Sequence, residues 1–231
     1  MDKLVIYDAE YDLPEKLTLD TWGQLMELQN NNPSPQQLVS TALNIPITEI
    51  NKIPDETLEL LIGLVYVLIN PEDSTYNKML SGGELINFKE LTLGQFIDLE
   101  VYMSQGVGQH IVDICNILYN TKLPNTTTIN DVHKAYLAYT NYRTMLLKSY
   151  SGLFEIEDEL TDEQQEQIQK DNNDTARTWY NIVMLMCAGD ILKMNDLVKL
   201  GVIECFNWLA WDKDNKKREA EQIKKQMQLT R

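Results

Sequence analysis

The chain contains few of the residues that build tight turns, disulfides or metal sites. Its 231 residues include only 10 Gly, 7 Pro, 3 Cys and 2 His. So little Gly and Pro argues against a β-sandwich or barrel, which needs many tight turns. Cys115, Cys187 and Cys205 are widely spaced among apolar residues, and neither His110 nor His133 stands at ligand spacing from a Cys. We therefore expect buried free cysteines, no metal ion and no cofactor.

The motifs of familiar catalytic centres are also missing. The sequence contains no P-loop, no dinucleotide-binding glycine pattern, no nucleophile elbow, no zinc-protease motif and no EF-hand loop. The segment LSGGE, at Leu80–Glu84, resembles the signature loop of ABC-type ATPases, but that loop functions opposite a P-loop. A Gly-Gly turn leading into the strand-like segment ELINF is the simpler interpretation. We expect a protein that is not an enzyme and has no catalytic residue.

Long hydrophobic runs are absent as well. The longest apolar run, Leu58–Ile69, has 12 residues, which is too short to cross a bilayer and predicts a buried helix and no membrane partner. No N-terminal run combines the basic start and apolar middle of a signal peptide. We therefore expect a cytosolic product.

Negative charge dominates the composition, and it is unevenly distributed. The formal net charge is −15; residues 212–231 carry +3, so the first 211 residues carry −18. An acidic body repels phosphate backbones, so we expect no direct binding of nucleic acid. The simplest interpretation of the acidic surface is that it keeps the protein soluble. The basic end supplies the candidate partner-binding residues, which are Lys213, Lys216, Lys217, Arg218, Lys224 and Lys225.

Two segments begin alike and then adopt a helical pattern. LTLDTWGQL occupies residues 17–25, and LTLGQFIDL occupies residues 91–99. Thr18 and Thr92 stand where the N-cap of a helix stands, and Gln95 completes a capping box at the second position. Leu-Thr-Leu before a helix could also occur twice by chance, so evidence for a duplication has to come from the residues downstream of each copy.

Downstream of each Leu-Thr-Leu segment, the predicted elements occur in the same order. Helix breakers precede a second short helix in both copies, and these breakers are Pro33, Pro35, Gly106 and Gly108. A third helix begins near residues 53–56 in the first copy and near residues 129–132 in the second. The nearly constant offset predicts a duplicated three-helix unit in which Trp22 and Phe96 occupy equivalent buried positions.

These observations predict a mainly α fold, namely a helical bundle with two similar three-helix units, a short β-ribbon near the N-terminus and a projecting C-terminal helix. The ribbon would pair LVIYD with ELINF, the β-rich pieces before the two copies. The chain then divides into three consecutive parts. Residues 1–70 hold the N-terminal strand and the first three-helix unit, residues 71–152 a linker and the second unit, and residues 153–231 an acidic loop, the C-terminal helices and the basic tail.

The third part begins with an acidic segment and ends with a polar helix. Glu155–Gln167 contains seven acids and no base, which is typical of a solvated loop turning into a helix. A buried helix should come next, with Gly189 as its C-cap. The last helix has an apolar stripe as far as Leu209 and is polar on all sides past Trp211. A helix without an apolar face either projects from the body or waits for a partner.

Several of these segments resemble small acidic α-helical proteins encoded among the structural genes of tailed bacteriophages. The resemblance rests on LTLDTWGQLMEL, on ALNIPITEINKIPDETLELL and on the long segment from WYNIVMLMCAGD to the charged tail. The similar proteins are tail-assembly-chaperone-like and virion-associated proteins of phages of Bacteroidetes, including the crAss-like group. In such proteins a buried turn, here Gly189, Asp190 and Lys193, precedes the last helix. The resemblance implies no catalytic residue.

The resemblance implies a non-enzymatic virion structural or assembly protein, either a tail- or neck-associated component or a tail assembly chaperone. Its partners would be other phage structural proteins or further copies of itself, bound by helix-mediated contacts. It would act in the host cytoplasm during assembly or remain in the virion. The alternative is an acidic cytosolic adaptor, or an inhibitor that mimics nucleic acid and binds a host enzyme.

Overall fold

The structure is a computed structural model, and it describes residues 3–6, 9–72, 74, 76–154 and 174–229. The predicted acidic loop and helix at Glu155–Gln167 lie outside these residues. The described residues are mainly α-helical, as predicted. Their α-helices are α1 (Leu19–Gln29), α2 (Pro35–Leu43), α3 (Ile47–Ile50), α4 (Asp55–Ile69), α5 (Leu93–Gln105), α6 (Val107–Leu118), α7 (Ile129–Ser149), α8 (Ser151–Phe154), α9 (Thr175–Met186), α10 (Met194–Leu197) and α11 (Val202–Leu229).

A short antiparallel ribbon lies near the N-terminus, as predicted, but its second strand differs from the prediction. Strand β1 (Lys3–Ile6) pairs with β2 (Ala9–Asp12), not with ELINF. Two strands that are separated by only two residues pair with less loss of chain entropy than two strands that are far apart in sequence. In ELINF, the N–H of Ile86 instead donates to the carbonyl of Leu118 at 2.8 Å.

The LSGGE segment forms a tight hairpin, so a turn occurs here as predicted, but its turn residues are Ser81 and Gly82, and Gly83 already belongs to the second strand. Strand β3 (Met79–Leu80) pairs antiparallel with β4 (Gly83–Glu84). The two turn residues, Ser81 and Gly82, have φ values of 50° and 82°. Left-handed backbone at both central positions is the geometry of a two-residue hairpin that matches the natural twist of its strands.

The chain forms two compact units, each built from two separate stretches. The first unit comprises Met1–Ile86 and Tyr102–Tyr139, and the second comprises Asn87–Val101 and Thr140–Arg231. The predicted division into three consecutive parts, residues 1–70, 71–152 and 153–231, stays a prediction. The helices of the two proposed repeats do occur in the predicted order, with the short α3 added before α4.

In the first unit, two helix starts lie side by side and exchange backbone hydrogen bonds. Thr18, before α1, forms an antiparallel bridge with Thr128, before α7. The N–H of Leu19 donates to the carbonyl of Thr127 at 3.0 Å. In return, the N–H of Ile129 donates to the carbonyl of Leu17 at 2.9 Å. We call this reciprocal pairing of helix starts a clasp.

The second unit contains the same clasp. Thr92, before α5, bridges Gly201, before α11. The N–H of Leu93 donates to the carbonyl of Leu200 at 2.8 Å, and that of Val202 donates to the carbonyl of Leu91 at 2.9 Å. Each clasp satisfies first-turn N–H groups that a helix cannot pair internally. The feature that recurs with the Leu-Thr-Leu segments is therefore a pair of helix starts, the second of which lies far along the chain.

Side chains at the clasp also cap the helices. Thr18 Oγ1 accepts the N–H of Thr21 at 3.2 Å. Thr92 Oγ1 accepts the N–H of Gln95 at 3.2 Å, and Gln95 Oε1 accepts the N–H of Thr92 at 3.1 Å. The N-caps and the capping box predicted for these positions are confirmed. The aromatic residues one turn later, Trp22 and Phe96, are both buried, as predicted.

Helices α1 and α6 of the first unit touch through two glycines. A methyl group at Gly23 would collide with the carbonyl oxygen of Gly108, and one at Gly108 would lie 2.5 Å from the carbonyl oxygen of Gly23. Gly108 lies inside α6, so its predicted role as a helix breaker is wrong; Gly106, with φ 127°, precedes that helix. Close backbone approach explains why glycine occupies both helices despite its conformational entropy cost.

Helix α9 ends at Met186, three residues before the predicted cap Gly189. Ala188 has φ 52°, and its N–H donates to the carbonyl of Leu185 at 3.1 Å. The N–H of Gly189 donates to the carbonyl of Met184 at 2.9 Å. This is a Schellman motif in which Ala188, not Gly189, holds the left-handed C′ position. The next turn was predicted to be buried, but Gly189 and Lys193 are exposed.

The contact between Gly23 and Gly108 predicts that alanine substitution has opposite effects on stability at Gly23 and at Gly63. Gly23→Ala should lower the free energy of unfolding by about 3 kcal/mol, because the added methyl group forces α1 and α6 apart. Gly63→Ala is the matched control, since a Cβ there would meet no atom within 4 Å. It should raise stability by about 0.5–1 kcal/mol through helix propensity. Urea denaturation of the two variants measures both values, and equal effects would contradict the contact.

The two clasps predict that a threonine suits position 201. In the first clasp the N–H and hydroxyl of Thr128 both donate to the Asp131 carboxylate, at 3.0 and 2.7 Å. Glu204 holds the position after Gly201 that Asp131 holds after Thr128. Gly201→Thr should therefore complete a capping box and raise stability by about 0.5–1 kcal/mol. Thr128→Ala is the comparison and should lower it by about 1 kcal/mol; a destabilising Gly201→Thr in thermal denaturation would refute the equivalence.

Candidate interaction site at the C-terminal helix

The site begins with the aromatic anchor of α11 in the second unit. Phe206 is fully buried, and its ring stacks parallel to that of Trp179, with centroids 6.0 Å apart and an interplanar angle of 5°. Phe96 and Tyr150 meet it edge-on, at centroid distances of 5.5 and 5.2 Å. Both arrangements are favourable for aromatic rings. The first turns of α11 are therefore fixed by the core that also contains Phe96 of the second Leu-Thr-Leu segment.

Two polar contacts extend this attachment along α11. The hydroxyl of Tyr150 donates to Asn207 Oδ1 at 2.7 Å. Further along the helix, Lys213 Nζ donates to the carbonyl oxygen of Gly152 at 2.7 Å. Lys213, one of the predicted partner-binding residues, thus contacts its own unit.

The remaining predicted residues lie where α11 is exposed. Lys216 pairs with Asp212 at 2.7 Å, and Arg218 pairs with Asp214 at 2.8 Å, each one helical turn apart. Exposed pairs of this spacing contribute only about 0.3–0.5 kcal/mol each. They stabilise the helix locally without fixing its position. The other three predicted cations, Lys217, Lys224 and Lys225, are exposed.

We call residues 216–228 the C-terminal arm. Every side chain in this range is exposed. The prediction that this part of the helix is polar on all sides is wrong, because Ala220, Ile223 and Met227 share one helical face. Ile223 is 52% exposed and Met227 is 64% exposed. Ala220, Ile223 and Met227 follow one another at three and then four residues in the sequence, and this spacing is the signal that could have identified the stripe.

A partly buried ion pair in the second unit was not predicted from the sequence. Glu100 on α5 is buried, and both its carboxylate oxygens accept hydrogen bonds from the Arg143 guanidinium on α7. The bond from Nη2 to Oε2 measures 2.7 Å. A two-pronged contact matches the fork of the guanidinium to the carboxylate. No local pattern links the two residues, so only tertiary structure reveals the pair.

The cysteines have the chemistry of core residues. Cys115, Cys187 and Cys205 are free and buried, as predicted. Burial raises the pKa of the Cys115 thiol to about 12, and burial together with the Glu204 charge raises the pKa of Cys205 to about 11. Both thiols are therefore protonated at neutral pH and are poor nucleophiles. Among the described residues, no group of three or more His, Cys, Asp or Glu side chains could hold a metal ion.

Comparison of the chain with protein-family models, with curated proteins and with solved structures finds no match. In the part of the chain that the structure describes, no helix combines the length and the apolarity needed to span a lipid bilayer.

The pair of Glu100 and Arg143 gives a test of what holds α5 and α7 together in the second unit. Arg143→Met should lower the free energy of unfolding by about 3 kcal/mol, because Glu100 stays buried without its countercharge. Adding Glu100→Leu to that variant should recover most of the loss, since a matched apolar pair needs no charge compensation. Guanidinium denaturation of the single and double variants measures the coupling. A double variant less stable than Arg143→Met would contradict this account.

Proposed function

We propose that this protein is a non-enzymatic assembly or adaptor protein that binds another protein through its C-terminal arm. The observation that carries the proposal is the complete exposure of residues 216–228 at the end of a helix whose beginning is firmly packed. A rigid helix that leaves its own core with an apolar stripe and flanking cations is suited to bind a groove on a partner.

The chemistry of the arm defines the surface that it would bind. Lys217 and Lys224 are exposed on one flank of the stripe of Ile223 and Met227, and Lys225 is exposed on the opposite side of the helix. The matching surface is an apolar groove or helix face with acidic residues at its edge. Electrostatic complementarity of this kind speeds association and selects the partner, while the apolar contact supplies most of the affinity.

The biological setting of the proposal comes from the resemblance to tailed-bacteriophage proteins. In that setting the partner is another phage structural protein, and the chain acts as a tail- or neck-associated component or as a tail assembly chaperone. Mass spectrometry of purified particles and of infected-cell lysate distinguishes the roles. A virion component is recovered from particles in stoichiometric amounts, and a chaperone only from lysate. If the chain is instead recovered in a complex with a host enzyme that acts on nucleic acid, the result would favour the alternative, an inhibitor that mimics nucleic acid.

Removal of the arm tests the proposal directly. A chain that ends at Asn215 should melt within about 2 °C of the full chain, because exposed ion pairs contribute little to stability. It should no longer co-purify with the structural proteins encoded beside it. Lys217, Lys224 and Lys225 changed together to Gln should weaken recovery at low salt. The matched control changes Lys89, Lys122 and Lys148 to Gln, which are exposed lysines outside the arm.

Two outcomes would contradict the proposal. Undiminished recovery of the truncated chain with its partners would show that the arm is not the binding element. A large fall in melting temperature on truncation would show that the arm stabilises its own chain instead.

A further inference from the structure

Helix α4 of the first unit has an exposed apolar face. The run Leu58–Ile69 was predicted to form a buried helix, but only one side of it is buried. On the other side Leu60, Tyr66 and Val67 are 76%, 57% and 68% exposed. Gly63 lies between them, and a Cβ at this position would meet no atom within 4 Å. The face is therefore a row of large apolar side chains with a gap in its middle.

Polar groups of complementary kinds lie toward the two ends of this face. Near the start of α4, Glu56 and Glu59 are exposed and carry carboxylates, which accept hydrogen bonds. Near its end, Tyr66 and Asn70 are exposed and carry a hydroxyl and an amide, which can donate hydrogen bonds. A face with acceptors toward one end and donors toward the other is complementary to a copy of itself that is turned end for end.

We propose that the exposed face of α4 binds the same face of a second copy of this chain, with the two helices antiparallel and a two-fold axis at Gly63. Such a contact is isologous, so it is made once, on the axis, and closes a dimer. It involves α4 alone and no residue of the C-terminal arm. The inference therefore goes beyond the proposed function.

The positions of the apolar residues around α4 fit this arrangement. Successive residues of an α-helix are turned by about 100° and raised by about 1.5 Å. Leu60 and Val67 therefore lie about 60° and 40° to one side of Gly63. A two-fold axis perpendicular to the plane of the two helices reverses the direction along each helix but keeps each side of the face on its own side. Leu60 thus lies beside Val67 of the second copy, with a difference in height of about 1.5 Å.

The polar residues meet suitable partners in the same register. Glu59 and Tyr66 lie about 40° and 60° to the other side of Gly63, so the Tyr66 ring of one copy lies along the Glu59 side chain of the other. Glu56 and Asn70 precede and follow Gly63 by seven residues, and each lies about 20° from the line through it. They therefore reach the same height, where the Asn70 amide can donate to the Glu56 carboxylate of the second copy. Hydrogen bonds to a charged acceptor are stronger than those between neutral groups.

Charge and space both favour the antiparallel pair. Parallel alignment would bring Glu56 of one copy to Glu56 of the other, and this contact between like charges would oppose binding. It would also align the two helix dipoles unfavourably. At the two-fold axis, two Gly63 residues without side chains let the backbones approach, so that Leu60 and Val67 on the rim of the face make contact.

The dimer should be weak, and salt should strengthen it. A single pair of 15-residue helices buries less than the roughly 1,600 Å² of a standard protein interface. Each copy carries a formal net charge of −15, so the two copies repel each other until salt screens their charges. The salt dependence is opposite to that expected for the arm, because salt weakens the binding of its cations to an acidic surface.

A charge at the two-fold axis tests the face. Gly63→Glu should fold, because a Cβ there meets no atom within 4 Å and glutamate has the higher helix propensity. The variant should keep the mass of a monomer, since two carboxylates would be forced together at the axis. The unchanged chain should approach the mass of a dimer as protein concentration and salt are raised. Sedimentation equilibrium measures both masses. Leu192→Glu is the matched control, since Leu192 is an exposed apolar residue outside α4, and it should leave the dimer unchanged.

Cysteine crosslinking tests the register. A mixture of Leu60→Cys and Val67→Cys chains should form a linked dimer on mild oxidation, because the antiparallel pair brings these positions within the roughly 4.4–6.8 Å between Cα atoms that a disulfide needs. Either variant alone should crosslink at least about tenfold more slowly, since identical positions lie about 9 to 12 Å apart along the helix. The native cysteines are buried and should not compete. Crosslinking of either variant alone as fast as the mixture would overturn the register.

Removal of the arm separates this inference from the proposed function. A chain that ends at Asn215 keeps α4 and should dimerise like the full chain, even where it no longer co-purifies with other proteins. The inference is overturned by a full chain that is monomeric at every concentration and salt, by a dimer that persists in Gly63→Glu, or by a dimer that requires the arm. With a monomeric full chain, loss of co-purifying proteins in Gly63→Glu would show that a different protein covers α4.

Discussion

The clasp between helix starts is the constraint on which both units depend. A helix begins with N–H groups that it cannot pair internally, and two helix starts placed side by side also oppose each other through their positive dipole ends. Each clasp resolves the first problem by letting one helix start donate to the carbonyl before the other, at 2.8 to 3.0 Å. Threonine caps and the Asp131 and Gln95 side chains supply further acceptors. The aromatic cores are then built immediately behind these starts.

Local patterns predicted the elements well because helix caps and periodicity act over a few residues. Thr18 and Thr92 were recognisable as N-caps, and Trp22 and Phe96 as core positions, before any tertiary structure was known. The LSGGE hairpin could be predicted from turn chemistry. The uneven charge of the sequence predicted the basic residues of α11 as a group, whereas only the structure separates Lys213 from the others, because Lys213 contacts Gly152.

Features that depend on distant partners could not be predicted in this way. The residues that complete the clasps, Thr128 and Gly201, carry no local sign of which Leu-Thr-Leu segment they join. Glycine commonly breaks helices, and only the close approach of α1 explains why Gly108 lies within a helix. The pairing of Glu100 with Arg143 likewise depends on how α5 and α7 meet. The sequence predicted a buried helix at Leu58–Ile69, whereas Leu60 and Val67 of α4 are exposed. A continuous apolar run does not show which side of a helix is covered.

Each clasp joins two helix starts, and the order of these four helix starts along the chain affects how fast the protein folds. Thr18 belongs to the first clasp, Thr92 to the second, Thr128 to the first and Gly201 to the second. As the chain leaves the ribosome, the first half of the second clasp is synthesised before the first clasp can close. Neither unit is therefore available as one uninterrupted segment that folds before the next begins. Contacts so distant in sequence slow folding and leave apolar helix faces uncovered for longer.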